Sequence, residues 1–205
     1  MATSARWAAE TEQAADELVS LTREHGFALF LGYGLLLQGA ALTLRRQGEA
    51  AVERIHEAVA AMQATGIRRS DPMVLGFVAE ALALKGEVAA GLQMLATASA
   101  AAEASGAHWA DAELHRRRGD LLGRLPSNDW KEAESCLRAA LTVARDQGTR
   151  GFELRAAVSL ARLLSAQGPR DEARAVLASV YCWFTEGFDT PDLQEAKALL
   201  ETLDA

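Results

Sequence analysis

Residues 154–177 read LRAAVSLARLLSAQGPRDEARAVL, and the pattern of this stretch decides how the rest of the chain is read. Ala157, Leu160, Ala161 and Leu164 recur at spacings of three and four, as do Ala173, Leu177 and Val180, so each set lies along one face of a helix. Between the two sets stand Gly168 and Pro169. Glycine accepts the left-handed conformation that ends a helix, and proline lacks the N–H that would continue one, so the chain is expected to turn here and restart at Arg170. The two apolar stripes then face each other. Alanine at 161 and 173 lets the backbones approach, while Leu160, Leu164 and Leu177 fill the space around the contact. An antiparallel helix pair of this kind is the unit of a tetratricopeptide-type repeat.

Looser copies of the hairpin precede it. Glycines closing the second helix of each unit fall at positions 26, 66, 106, 148 and 187, so successive markers are separated by 40, 40, 42 and 39. Turns inside the units fall at Gly48, Gly86, Ser127 and Gly168, which leaves two helices of about 17 residues per repeat, each about 25 Å long. The expected organisation is one helical-repeat domain over 1–205. It comprises an N-terminal helix within 1–26, hairpin repeats at 27–66, 67–106, 107–148 and 149–187, and a capping helix within 188–205. The fold class is all-α, a right-handed superhelical solenoid of antiparallel hairpins. Its period is longer than that of the commonest tetratricopeptide form, about 34 residues.

Composition agrees with this architecture. Half of the chain is hydrophobic but only 6% is aromatic, so the core is aliphatic and alanine-rich. Alanine forms helix well and buries little surface, so stability must come from many small helix contacts. A net charge of −7 argues against the basic face that a nucleic-acid partner requires. Cys136 and Cys182 have no CxxC spacing, which speaks against a disulfide framework or zinc site and fits a reducing cytoplasm. The opening stretch, Met1 to Glu24, is polar and alanine-rich, without the apolar core of a signal peptide. Residues 27–44, FALFLGYGLLLQGAALTL, carry no formal charge, but Gln38 and three glycines interrupt them, and a run of this length is near the short limit for a membrane span. A helix buried on most sides between hairpins is expected instead, with no membrane partner.

Local signals place the remaining helices. Trp7, Ala14, Leu18 and Leu21 form the expected stripe of the first helix; its other side, Ala8, Ala15 and Val19, lacks a neighbour, so this edge should fray or self-associate. Gly48 and Glu49 turn the chain into a return helix bearing Ala51, Ile55, Ala58 and Met62. Asp71 caps a helix that starts at Pro72, whose stripe is Leu75, Ala79 and Leu82; Gly91, Leu95 and Ala98 mark the return. The next helix runs from His108 to Leu125 and breaks at Pro126. Asp129 with Glu132 resembles a capping box, ahead of Ala133, Leu137 and Ala140. Residues 180–184, VYCWF, prefer strand by residue type, but the register from Ala173 through Val180 predicts helix. Thr190 and Pro191 open a last helix bearing Leu193, Leu199, Leu200 and Leu203, with Glu195, Lys197 and Glu201 on a charged outer face.

Chemistry-bearing patterns are sparse. His56 and Glu57 begin an HExxH-like string whose second histidine is replaced by Ala60. His108 and His115, with Asp111 and Glu113, would need a further ligand from another repeat to hold a metal, so hydrogen bonding at a turn is the expected role. Cys182 is read as a small buried apolar side chain. No phosphate loop, dinucleotide turn or nucleophile elbow is present, so neither catalysis nor a cofactor is expected. Arg116, Arg117 and Arg118 form the only basic run, nominally a solvated face. Because the first helix of each hairpin lines the concave surface of such repeats, the expected groove comprises Tyr33, Leu36, Glu80, Glu113, Arg116, Asp120, Arg155 and Arg162. It is apolar at one end and arginine-bearing at the other, where a peptide carrying carboxylates would fit.

The strings GFALFLGYGLLLQGAAL, HWADAELHRRRGDLL and LRAAVSLARLLSAQGPRDEARAVL followed by WFTEGFDTPDLQEAKALL resemble the carboxy-terminal repeat region of large bacterial regulators. In that family a class III adenylate or guanylate cyclase domain is followed by an ATPase module and helical repeats. The strings are also similar to the repeats of maltose-type transcriptional activators. The resemblance covers the chain from about Ala14 and is most specific over Trp183–Leu193. It implies the family's repeat architecture and none of its chemistry. Protein or peptide segments are the expected partners, with signal transmission to a cyclase or ATPase, or a small-molecule pocket beside Tyr33, as alternatives.

Overall fold

The computed structural model describes residues 2–65, 71–125 and 130–204. Gly66, Ser70, Pro126, Ser127 and Asp129, and the side chains of Trp7 and Ala8, lie outside the described residues. Ten α-helices occur among those described, and no strand. They are α1 (Ala2–His25), α2 (Ala28–Leu44), α3 (Gly48–Ala64), α4 (Pro72–Leu84), α5 (Val88–Ser105), α6 (Asp111–Leu122), α7 (Trp130–Asp146), α8 (Arg150–Gln167), α9 (Arg170–Tyr181) and α10 (Pro191–Asp204). Gly26, Gly106, Gly148 and Gly187 sit at φ of 71°, 70°, 67° and 74°, so four of the five glycines that mark the repeat period are left-handed helix ends.

The chain divides into two compact units, Met1–Ala107 and His108–Ala205. In the first unit α1 packs on α2, α2 on α3, α3 on α4 and α4 on α5. Its core is Val19, Leu35, Leu36, Ile55, Met62, Val74 and Val78 with the small residues Ala51, Ala58 and Ala81 between them. Three glycines of α2 are notches in this packing. A Cβ at Gly34 would lie 2.8 Å from Val19 of α1, and at Gly32 and Gly39 it would run into Met62 and Ile55 of α3. The glycines that weaken α2 as a helix are what allow its neighbours to approach.

In the second unit α6, α7, α8, α9 and α10 pack successively, and α8 also touches α6 and α10. The helix α8 is surrounded: Leu154, Ala156, Ala157, Val158, Leu160, Ala161, Leu163 and Leu164 are all buried. Opposite it Ala173, Leu177 and Val180 of α9 are buried, and Gly168, at φ 117°, makes the turn that lets α9 restart at Arg170. Gly119 of α6 repeats the notch, since a Cβ there would meet Leu137 at 2.6 Å and the Ala133 carbonyl at 2.9 Å.

Several expectations change. In α1 it is Ala15, Val19 and Thr22 that are buried, while Ala14 and Leu21 face out. Both faces of this alanine-rich helix are apolar enough to pack, and the notch at Gly34 selects the one bearing Val19. Gly48 is not the turn residue. Arg46 takes the left-handed position at φ 59°, and Gly48 is the buried start of α3, where a Cβ would meet the Lys85 nitrogen at 2.8 Å. In α4 the buried set is Pro72, Val74, Gly76, Val78, Ala79, Ala81 and Ala83, with Leu75 and Leu82 half-buried. Asp71 caps α4 as expected, its Oδ1 accepting from the Met73 and Val74 amides at 2.9 Å and 3.3 Å. Helix α9 stops at Tyr181, so Val180 and Tyr181 are helical, Cys182 and Trp183 form a turn, and Cys182 is exposed because it has left the buried stripe. In α10 Leu193, Ala196 and Leu203 are buried, Leu199 and Leu200 are half-buried, and Glu195, Lys197 and Glu201 form the outer face.

Candidate functional site

The eight expected groove residues fall in both units: Tyr33, Leu36 and Glu80 in the first, the other five in the second. In the second unit Glu113, Arg116, Asp120 and Arg155 form an ion-pair network. Glu113 of α6 is 1% exposed and accepts two hydrogen bonds from Arg116, at 3.1 Å from Nε and 2.9 Å from Nη2. The remaining Arg116 nitrogen, Nη1, donates to Asp120 at 2.6 Å, and Ser159 of α8 donates to the same carboxylate oxygen at 3.2 Å. Arg117 and Arg155 approach Glu113 at 3.5 Å and 3.6 Å. Burial by itself would raise the Glu113 carboxyl. The charge and hydrogen bonds of Arg116, with the charges of Arg117 and Arg155, outweigh burial and hold the group at about 2, below its ordinary 4.5.

The two arginines of α8 that were expected to receive a ligand are answered by α10. Arg155 donates from Nε to Asp192 at 2.9 Å, and Arg162 pairs with Glu195 at 2.5 Å. The basic run at 116–118 is not a solvated face either: Arg117 is buried, Arg116 is nearly so, and Arg118 reaches Glu132 of α7 at 2.7 Å. The network ties α6, α8 and α10 together, and the separate Arg118–Glu132 pair joins α6 to α7. A cavity of about 200 Å³ adjoins it, lined by Asp120, Arg124, Trp130, Ser159 and Arg162 among others.

His108 does not join His115 at a metal site; its Nδ1 lies 2.9 Å from Asp111 at the start of α6. Among the described residues no group of three or more His, Cys, Asp or Glu side chains is placed to hold a metal ion.

The first unit presents a different surface. Phe27, Phe30, Tyr33 and Leu37 are 57%, 54%, 40% and 41% exposed, and their spacing places them along one face of α2 and the residue that opens it. Phe27 and Phe30 meet edge to face, with ring centroids 6.5 Å apart. Leu36, expected on this face, is buried in the core, because the outward phase of α2 runs through Leu37. Glu80 lies half-buried on α4. The α1 side of the stripe is also apolar: Leu18 Cγ lies 3.4 Å from the Cβ position of Gly34, and Leu21 is 54% exposed. Phe27, Phe30 and Leu37 were not singled out from the sequence. No helix among the described residues is long and apolar enough to cross a membrane.

No family model and no curated protein matches the chain. Solved structures do. A putative kinesin light chain of Podosopora anserina with nearly identical TPR-like repeats aligns at 19% identity with a TM-score of 0.57, over 84% of this chain and 92% of that one. A point variant of the same protein gives a TM-score of 0.56 over the same shares. BtubC (BKLC) from P. vanneervenii aligns at 14% identity with a TM-score of 0.63, over 97% of this chain and 89% of that one. At these identities the likeness is one of fold, and the fold is that of tetratricopeptide-like helical repeats.

Proposed function

We propose that the chain is a non-catalytic helical-repeat scaffold that binds protein segments, and that its binding surface is the outward face of α2. The observation that carries this reading is the row of large side chains, Phe27, Phe30, Tyr33 and Leu37, left half in water on one helix face. Together with Leu21 they leave roughly 500 Å² of large apolar side chain uncovered, within the range where a contiguous patch is usually functional. Aromatic side chains in such a position supply contact area at low conformational cost, since they have only two side-chain torsions to fix. Glu113, Arg116, Asp120, Arg155 and Arg162 have an architectural part in this reading, with their charges matched inside the second unit.

The resemblance of the chain from about Ala14 onward to the repeats of cyclase–ATPase regulators supports a finer form of the same proposal, in which the scaffold passes a signal to such a regulator in the cytoplasm. Site-specific photo-crosslinking tests the binding surface. A benzophenone amino acid at position 33 or 37 should give discrete protein adducts in cells, and the same group at Lys197 on α10 should not. Adducts at 197 with none at 33 and 37 would refute the assignment.

A further inference from the structure

Beside the ion-pair network the second unit holds the cavity of about 200 Å³, open to solvent, between the end of α6, the first half of α7 and the second half of α8. Trp130, Leu137 and Leu163 give it an apolar wall, and its polar groups are Asp120, Arg124, Ser159 and Arg162. An apolar hollow with a few polar groups around it is the usual make-up of a small-molecule site.

The charges in the lining are answered to different degrees. Asp120 accepts from Arg116 at 2.6 Å and from Ser159 at 3.2 Å, so the fold itself matches it. Arg162 pairs with Glu195, but the two side chains are 54% and 45% exposed, and a pair so open to water is weak. Arg124 is exposed and has no ion-pair or side-chain hydrogen-bond partner among the described residues. One positive charge is therefore left over beside an apolar wall.

We propose that this cavity binds a small monocarboxylate with a compact apolar body about the size of a single ring. A carboxylate answers Arg124 and can share Arg162, since its two oxygens match the planar fork of a guanidinium. The body follows from the volume: about 150 Å³ holds a benzene ring, so about 200 Å³ holds a ring with one carboxylate and little more. Half-buried Trp130 offers that ring an aromatic contact. A dianion fits less well, because its second charge would meet Asp120 in the same lining.

Gly123 provides a way to close the cavity. It lines the space, its φ of −63° suits any residue, and a Cβ there would make only ordinary contacts, at 3.5 Å to the Gly119 carbonyl oxygen and 3.6 Å to Leu163 Cδ1. A leucine side chain grown from that point fills the cavity without a clash at its base.

The test follows the tryptophan indole N–H signals of the ¹⁵N-labelled full chain by NMR, with that of Trp130 identified by its loss in Trp130→Phe. The ligands are benzoate, its neutral isostere benzamide, and inorganic phosphate. Benzoate should shift the Trp130 signal saturably and bind about ten-fold more tightly than either of the others. In Arg124→Gln benzoate should weaken about ten-fold while benzamide is unchanged, and in Gly123→Leu, shown to be folded by circular dichroism, the shift should vanish. Equal binding of benzoate and benzamide, or full benzoate binding by Arg124→Gln, would overturn the carboxylate. Phosphate binding as tightly as benzoate would overturn the apolar body. No saturable shift with benzoate, or a shift that survives in Gly123→Leu, would overturn the site.

Discussion

Replacing Glu113 with glutamine tests whether the arginines of the second unit are structural. The substitution keeps the side-chain shape, removes the one negative charge shared by Arg116, Arg117 and Arg155, and leaves Arg117 buried. Breaking a buried pair by removing one partner costs about 3–5 kcal/mol. A second route gives a similar size. A carboxyl moved from 4.5 to about 2 contributes, at about 1.4 kcal/mol per unit, about 3 kcal/mol to folding at neutral pH.

The sign follows from the direction of the shift. The folded-state value lies below the unfolded one, so the contribution is fully present above pH 4.5 and is lost as pH falls toward 2. Urea unfolding followed by circular dichroism, repeated from neutral pH down to about pH 2.5, should therefore show Glu113→Gln less stable by about 3 kcal/mol at pH 7. The gap should narrow steadily below pH 4.5. A variant within about 0.5 kcal/mol of the parent at pH 7, with a gap that does not change with pH, would refute the structural role.

Gly119→Ala should destabilise by about 1–3 kcal/mol in the same assay although alanine is the better helix former, because the new methyl meets the Ala133 carbonyl at 2.9 Å. Arg46→Gly should stabilise the fold slightly, by up to about 1 kcal/mol, since it relieves a non-glycine residue at φ 59°. Asp71→Ala should cost about 1 kcal/mol through loss of the α4 cap, and Asp71→Ser should recover most of it.

The hairpins were legible because their signals are local. A glycine that must turn left-handed and a proline that cannot donate act at their own positions, so Gly106, Gly148, Gly168 and Gly187 could be placed without knowing any neighbour. Helix phase was legible only where polar residues mark the outer face, as in α7, whose buried Ala133, Leu137 and Ala140 alternate with charged residues. In α2 no charge marks a face, so nothing distinguished Leu36 from Leu37, and the outward stripe was misplaced by one residue. Alanine on both sides of α1 blurred its phase in the same way. The fate of the arginines was hidden for a different reason: Asp192 and Glu195, the partners of Arg155 and Arg162, stand two helices further along the chain, on a helix whose docking the local pattern does not encode.

The most direct measurement is quantitative affinity capture with three forms of the full chain: the parent, Phe30→Ser/Tyr33→Ser, and Arg155→Ala/Arg162→Ala, each shown to be folded by circular dichroism. If the α2 face is the binding surface, proteins retained by the parent should be retained by the arginine variant and lost from the serine variant. Loss from the arginine variant with full retention by the serine variant would contradict this, and would move the binding surface to α8 and α10 of the second unit.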